Sequence, residues 1–234
     1  MSDRLSVRKT YKLYVGGAFP RSESGRSYTV NDAKGNFLAN ASRASRKDAR
    51  DAVVAARRAQ SGWAARTPYN RGQILYRIAE MLEGRREQFT EELRGTGLTR
   101  TAARTEVDAA VDRWVWYAGW ADKFAQVTGT ANPVSGPFFN FSTPEPAGVI
   151  GIIAPDNPLL GLVSVLAPVI VTGNTTIVVA SEPTPLPAIA LAEVLATSDL
   201  PAGVVNILTG HRAELAPWLA THMDINGLDL TGAH

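Results

Sequence analysis

Few residues in this 234-residue sequence could do covalent chemistry. It contains no cysteine, so thiolate nucleophiles, thiolate metal sites and disulfides are excluded within it. No G-x-S-x-G sequence positions a serine nucleophile, and His211, His222 and His234 have neither triad-like nor metal-ligand spacing. The G-x-G-x-x-G fingerprint of a dinucleotide site is also absent. These residue types therefore predict no catalytic centre of a familiar kind.

Polar residues follow two apolar runs that are typical of buried strands, at 149–154 and 175–180. Asn157 precedes Pro158, a pattern that favours a helix start at which the Asn side chain accepts a hydrogen bond from a free amide. Asp156 would add a negative charge that the same helix N-terminus stabilises. Glu182 follows the second run and, taken alone, is interpreted as an exposed acid that starts a helix.

The elements around these residues alternate short β runs with helical segments, which indicates βαβ units and a parallel sheet. In order, the predictions are a strand at 149–154, a helix at 158–171, a strand at 175–180, a helix at 186–196, a strand at 204–208, a helix at 212–220 and a strand at 227–230. The expected class is α/β, a Rossmann-like parallel sheet with flanking helices. Residues 148–234 form its βαβ half.

Residues 1–126 are expected to form an N-terminal β segment followed by amphipathic helices. The predictions are a strand and Gly-Gly turn at 11–19, a second strand at 26–30, and helices from Ser45 to about 64, over 70–93 and over 101–126. Asp48 stands three residues after Ser45, as in a capping box. The aromatic residues of the third helix are interpreted as packing residues rather than a ligand cage; they are Trp114, Trp116, Tyr117 and Trp120.

The segment 127–147 is rich in Gly, Pro and Asn and is predicted to be an extended linker, with FFNF at 138–141 as a strand. All three segments are expected to belong to one domain.

The net charge of +2 conceals an asymmetry. Residues 1–123 hold 23 of the 24 lysines and arginines against 14 acidic residues, whereas the remainder holds one against 8. We expect the two halves to attract each other. Because acidic residues separate the arginines along the helices, no nucleic-acid partner is predicted. No signal peptide or membrane span is indicated, and a cytoplasmic location is expected.

Six short blocks resemble the aldehyde dehydrogenase family in order and spacing, over nearly the whole chain. They are YAGWADK at 117–123, EPAGV at 145–149, PDN at 155–157, GNTTIVVASEPTPL at 173–186, LPAGVVNILTG at 200–210 and LTG at 230–232. The resemblance implies the N-terminal, nucleotide-binding half of that fold, which lacks the usual glycine fingerprint. It also implies NAD or NADP as the cofactor.

Residues that match the family's sites follow from this resemblance. Asn157 matches the amide that helps stabilise the oxyanion formed when a thiolate attacks the aldehyde. The implied cofactor-binding positions are Ile153, Pro155, Ser181, Glu182, Thr231 and Gly232. In this reading Glu182 holds the adenosine ribose, and Thr231 and Gly232 turn beneath the nicotinamide-side phosphates at a helix N-terminus.

Three departures from the family pattern weaken the implied cofactor site. Val179 stands where the family has a Lys that holds the ribose, a contact worth about 1.5 to 3 kcal/mol, or about tenfold to a hundredfold in affinity. Asp156 replaces the Trp of many members. His211 and Arg212 follow Gly210 in place of a glycine-rich run. NAD or NADP is therefore expected to bind weakly.

The family's catalytic Cys, general-base Glu and oligomerisation arm have no counterpart in these 234 residues. We therefore expect a catalytically incomplete family member that acts as a noncatalytic structural or regulatory partner. The alternatives are the NAD(P)-binding part of a split or truncated aldehyde oxidoreductase, and a stand-alone nucleotide-binding module. A sheet that ends at Leu230 would expose an edge strand, so the expected partner is a second copy or a complete dehydrogenase subunit.

Overall fold

The structure is a computed structural model that describes residues 9–233. Its elements are β1 (Ser27–Asn31), β2 (Phe37–Ser42), α1 (Arg46–Ala64), α2 (Pro68–Glu83), α3 (Arg86–Gly95), α4 (Arg100–Trp120), α5 (Phe124–Thr128), β3 (Thr130–Ala131), β4 (Phe141–Ser142), β5 (Val149–Ile153), α6 (Leu160–Val171), β6 (Thr175–Val179), α7 (Leu186–Leu195), β7 (Val205–Leu208), α8 (Arg212–Ala220) and β8 (Gly227–Asp229).

A four-stranded sheet in the order β7-β6-β5-β8 confirms the predicted Rossmann-like arrangement. All of its pairs are parallel, and Ile153 at the end of β5 lies opposite Val179 at the end of β6. The chain runs outward from β5 through β6 to β7, then returns to the other side of β5 with β8. Ligands of doubly wound sheets bind outside the carboxyl ends of the strands at such a reversal of order.

The two faces of this sheet are covered by different helices, because neighbouring strand residues point to opposite sides. Ile152 and Val178 belong to the core cluster that α2, α3, α4, α6 and α7 complete. Ile153 and Val179 belong to the second cluster, which α1 and α8 cover. Both faces are dry, which explains why these strands are apolar without alternation.

The start of α1 is a capping box, as its sequence predicts. The Ser45 side chain accepts hydrogen bonds from the amides of Lys47 and Asp48, and the Asp48 carboxylate accepts one from the Ser45 amide at 2.7 Å. Because Asp48 also accepts a bond from the Ser22 hydroxyl, the box ties the N-terminal segment to α1.

The prediction of a single helix over 70–93 is wrong, since α2 ends at Glu83 and α3 begins at Arg86. Gly84 caps α2, and Arg85 leaves helical geometry at φ −111° and ψ 16°. Glycine is a poor helix former, so a break here costs little, and the apolar stripe continues across it without revealing it. The helix predicted over 101–126 likewise ends at Trp120, with α5 following as a separate turn.

The N-terminal β predictions are only partly correct. Residues 11–19 form isolated bridges rather than a strand, with Tyr14 hydrogen-bonded to Ile207 of β7. β1 is present, but its antiparallel partner β2 was not predicted. Of the FFNF segment only Phe141 lies in a strand, and Phe138 and Phe139 are exposed at 73% and 81%.

The aromatic residues of α4 separate into two groups. Trp114 is fully buried, which confirms a packing role, whereas Trp116 is 53% exposed and the packing interpretation is wrong for it. The Trp116 ring instead contacts those of Tyr117 and Trp120 at 4.8 and 5.4 Å on the surface. When aromatic residues occur on more than one side of a helix, their spacing does not predict which side is buried.

Ion pairs join the basic and acidic halves, as the charge asymmetry predicts. Lys9 pairs with Glu193 at 2.7 Å, Arg43 pairs with Glu214, and Arg57 lies 3.8 Å from Asp224. These pairs attach the N-terminal segment and α1 to α7, α8 and the loop before β8.

Candidate functional site

A cleft of about 960 Å³ opens at the carboxyl edge of the sheet. Ile153 at the end of β5, Glu182 after β6, and His211 and Arg212 after β7 line it, with β1 forming an outer wall. Three consecutive strand ends thus contribute to one cleft, because carboxyl ends of parallel strands meet at one edge. Its size and place are those of a small-molecule site.

Glu182 lies at the N-terminus of α8. Its carboxylate is 2.5 Å from Nδ1 of His211 and accepts a hydrogen bond from the Arg212 amide at 3.1 Å. The interpretation of Glu182 as an exposed acid starting a helix is wrong, since α7 begins only at Leu186. Its carboxylate instead satisfies a free amide of the next helix, where a negative charge is stabilised.

Asp156 lies in the turn between β5 and α6 and is held by two side chains. The Ser181 hydroxyl donates to its carboxylate at 2.7 Å, and the Arg212 guanidinium forms an ion pair with it. Arg212 also donates to the Ala154 carbonyl at 3.1 Å. The guanidinium therefore reaches from the end of β7, across the end of β6, to the end of β5.

Hydrogen bonds set the charge state of both carboxylates. Burial alone would raise the pKa of Glu182, but His211 and the Arg212 amide outweigh it, so the pKa lies below its ordinary value. Burial would also raise the pKa of Asp156, and the Ser181 and Arg212 donors lower it. Both groups are anions at neutral pH, and both already have donors.

Tyr28 of β1 covers this network from one side. Its ring lies 5.7 Å from that of His211, and its hydroxyl is buried. Burial, and after it the charge of Glu182, raise the pKa of Tyr28. The phenol is therefore a neutral wall of the cleft.

Asn157 accepts a hydrogen bond from the Gly161 amide at 3.1 Å, which agrees with a capping role in the first turn of α6. The helix begins at Leu160 rather than at 158 as predicted. The amides of Leu159 and Leu160 donate to Glu106 of α4 at 3.2 and 3.3 Å. A carboxylate from another helix thus supplies the negative charge at this helix N-terminus, and the sequence gives no signal for such a distant partner.

Of the implied cofactor positions, only Ile153 and Glu182 line the cleft, and the others lie near the same edge of the sheet. The Gly232 amide donates to the Ile153 carbonyl at 2.9 Å, so residues 231–232 fold against the end of β5. A Cβ at Gly232 would lie 2.0 Å from the Ala154 carbonyl, so only glycine fits there. The Thr231 amide bonds Asp229, and β8 ends at Asp229 rather than at Leu230 as predicted. Pro155 lies in the turn after β5, between Ala154 and Asp156.

Val179 is fully buried in the cluster beneath α1 and α8. Its apolar side chain cannot hydrogen-bond a ligand. The position thus offers none of the polar contact that the family's Lys is expected to make.

Sequence reasoning found Ser181 and Glu182 but missed their partners. The family pattern marks His211 and Arg212 only as replacements for a glycine-rich run, although Arg212 is the only lysine or arginine after position 123. That isolation was the available signal, because a lone cation among eight acidic residues should be paired.

Within residues 9–233 no cluster of three or more His, Cys, Asp or Glu side chains could hold a metal ion. His234, the third histidine of the sequence, lies outside the described residues. None of the helices described is at once long and apolar enough to cross a bilayer.

Comparison with known proteins gives consistent matches. The model of the aldehyde dehydrogenase family matches residues 19–234. DhaS of Bacillus subtilis (strain 168) is 34% identical over 233 residues, and human retinal dehydrogenase 2 is 33% identical over 236. These alignments cover 97% and 98% of this chain but 46% and 45% of those proteins, so the chain spans about half their length.

Solved structures agree with the sequence matches. The NAD⁺ complex of aldehyde dehydrogenase from Bacillus cereus superimposes with a TM-score of 0.89 at 29% identity, over 94% of this chain and 45% of that one. An aldehyde dehydrogenase from Burkholderia cenocepacia gives 0.89 at 29% identity, over 93% and 45%.

Proposed function

The chain belongs to the aldehyde dehydrogenase family, and we propose that its 234 residues act as a noncatalytic structural or regulatory partner rather than oxidising aldehydes by themselves. Oxidation through a thiohemiacetal requires a thiolate, and these residues include no cysteine. A cysteine supplied by another chain or segment would remove this obstacle, so the proposal depends on the residues that are present at the cleft.

The observation that carries the proposal is the closed network of Glu182, His211, Arg212 and Asp156. Glu182, the family's ribose position, is bonded to His211 and to the α8 N-terminus. Asp156 adds a second carboxylate at the strand ends. A ribose hydroxyl would have to compete for acceptors already in use, and a pyrophosphate would meet two negative charges.

The cleft suits a dinucleotide in position but not in the polar groups it offers. Val179 removes a cationic contact, and Arg212, the only cation of residues 124–234, is neutralised by Asp156. We propose that NAD and NADP bind more weakly than about 100 μM, a free energy of roughly −5.5 kcal/mol.

Calorimetry of the purified chain with NAD and NADP tests this proposal, followed by an aldehyde-dependent NADH absorbance assay on the same sample. The expected result is no binding below about 100 μM and no turnover. Tight binding would contradict the weakened site, and turnover would contradict the noncatalytic role.

A second candidate is the NAD(P)-binding part of a split aldehyde oxidoreductase. The coverage of about 46% of DhaS favours it, because the missing half could reside on another segment. This candidate predicts cofactor-dependent activity when the chain is mixed with a polypeptide that supplies the cysteine-bearing half. Activity in the mixture but not in either component would decide in its favour.

A partner surface is part of the proposal. Among the described strands β8 pairs only with β5, and the β3–β4 hairpin exposes Phe138, Phe139 and Phe141. Open strand edges and exposed apolar clusters favour association. We expect light scattering after size exclusion to give a dimer or higher assembly, or a complex with a complete dehydrogenase subunit. A monomer at tens of micromolar that binds no such subunit would contradict this surface.

We propose a cytoplasmic location for the chain. Fractionation of cells that express the chain tests this location. Recovery of the chain in the membrane pellet would contradict the proposal.

A further inference from the structure

Arg212 is half-buried at the strand ends although it is the only lysine or arginine after position 123. Its side chain is 17% exposed, and its guanidinium is held by Asp156 and the Ala154 carbonyl. A lone arginine in an acidic stretch could have remained on the surface beside any of the other acids. Arg212 follows β7, but its guanidinium lies at the end of β5. A cation at this point attracts a negative charge there.

The carboxylate of Asp156 lies at the carboxyl edge of the sheet, where it bonds Arg212 of the cleft wall. Asp156 is in the turn between β5, the first strand of the sheet, and α6. In doubly wound folds, ligands bind outside the carboxyl ends of the strands. The carboxylate is bonded by the Ser181 hydroxyl and the Arg212 guanidinium. Both groups could donate hydrogen bonds to a phosphate oxygen in the same way.

We propose that Asp156 is a built-in anion that fills a phosphate position formed by Arg212 and Ser181, and that it thereby excludes phosphate-bearing ligands from the cleft. The inference rests on the proposed function, because it gives the weak dinucleotide binding proposed there a specific cause. Asp156 is then the residue that sets which ligands the cleft accepts, and Arg212 is the cation that would bind them.

The position can be vacated without dismantling the fold. The Asp156 side chain is 57% exposed, and ion pairs this exposed contribute little net stability. The Nε of Arg212 is buried with no hydrogen-bond partner among the described residues, so the present pairing with Asp156 leaves one guanidinium donor unsatisfied. A phosphate can accept two parallel bonds from a guanidinium, which a lysine ammonium could not offer in that geometry.

The test is calorimetry of the wild type and of Asp156→Asn with inorganic pyrophosphate, NAD and NADP as separate ligands. Asparagine keeps the shape of the side chain and an oxygen for the Ser181 hydroxyl, but it removes the charge. We expect all three ligands to bind about tenfold to a hundredfold more tightly to the variant, the range for one additional charge-assisted hydrogen bond. Thermal unfolding of each variant checks that the fold is retained.

The double variant Asp156→Asn/Arg212→Ala identifies the cation. If Arg212 binds the phosphate, the tighter binding seen with Asp156→Asn is lost in the double variant. Tighter binding that persists without Arg212 would overturn its assignment.

Glu214→Gln is the matched control. Glu214 of α8 pairs with Arg43 rather than with Arg212, and its replacement changes the net charge by the same amount. We expect no tightening for this variant. An equal increase in affinity would attribute the effect to overall charge and overturn the proposal.

Three further outcomes would also test the proposal or the function on which it rests. Affinities of Asp156→Asn within about twofold of the wild type for every ligand would overturn the proposal, since a difference that small is under half a kcal/mol. Tighter binding of NADP alone would assign the anion position to the ribose 2′-phosphate and overturn its assignment to the turn after β5. Tight NAD binding by the wild type would contradict the proposed function, whereas this inference is decided by the ratio between variant and wild type.

Discussion

Two glutamates, one deeply buried and one partly exposed, have opposite pKa shifts. Burial raises the pKa of Glu182 at the strand ends, but bonds from His211 and the Arg212 amide more than reverse it. Glu92 of α3 packs against the N-terminal segment, where burial and the nearby Glu193 raise its pKa to about 7, despite the opposing effect of Lys9. Gln88 approaches one carboxylate oxygen of Glu92 at 3.5 Å, and Gln88 and Tyr11 lower its pKa by less than burial raises it.

The comparison teaches that hydrogen-bond donors outweigh the effect of burial at the partly exposed Glu182, whereas burial outweighs them at the deeply buried Glu92. Glu182 receives a backbone amide from a helix N-terminus and an imidazole from the same turn. Glu92 lies mid-helix, where backbone amides already bond within α3, so only side chains can reach it. Strand ends followed by helices are therefore the places where a carboxylate is fixed in its charged form.

The largest effect is expected for Glu92→Gln. Because the folded-state pKa of Glu92 is raised from 4.5 to about 7, its contribution to stability is present below pH 4.5 and is lost as pH rises through about 7. At pH 8 the variant should be more stable than the wild type by about 1 to 3 kcal/mol, and at pH 5 the two should be nearly equal. Urea unfolding at both pH values measures this.

Glu91→Gln is the control for that prediction, since Glu91 is an exposed neighbour that pairs with Arg94 on the helix surface. It should change stability by less than about 0.5 kcal/mol at either pH. If Glu92→Gln behaved like Glu91→Gln at pH 8, the buried acid would not be the source of the pH dependence.

A smaller loss is expected for Glu182→Ala. The substitution leaves the Arg212 amide and His211 without their acceptor, which should lower the free energy of unfolding by about 1 to 2 kcal/mol. Because the pKa of Glu182 is lowered from 4.5, its contribution is present above pH 4.5 and is lost as pH falls further. The difference from the wild type should therefore shrink in acid, and a difference that grows there would contradict the sign of the shift.

The smallest effect is expected for Arg212→Gln on stability alone. Its partner Asp156 is 57% exposed, so thermal unfolding should reveal a change of about 1 kcal/mol or less at neutral pH. A loss above about 2 kcal/mol would make this ion pair a structural element rather than an exchangeable one.

The sequence predicts the central elements well because their signals are local. Apolar runs located β5, β6 and β7, and the Ser45 and Asp48 spacing located the start of α1. The break at Gly84 was missed because the apolar stripe of α2 continues into α3.

The candidate site was predicted only in part because its contacts join distant residues. Glu182 was singled out, but its donor His211 lies 29 residues away and follows a different strand. Asp156 and Arg212 are 56 residues apart, and only the sheet order brings them together. Pairings of this kind depend on which strands are neighbours, and no local pattern encodes that order.

The most direct test of the closed carboxylate network is a carboxyl NMR titration of the wild type, with the side chains of Glu182, Asp156 and Glu92 assigned, in the absence and presence of NAD. We predict that Glu182 and Asp156 titrate below their ordinary pKa values, that Glu92 titrates with a pKa near 7, and that NAD at a concentration of about 100 μM shifts none of them. Ordinary titration of Glu182 and Asp156, or displacement of their signals by NAD at that concentration, would contradict the proposed network.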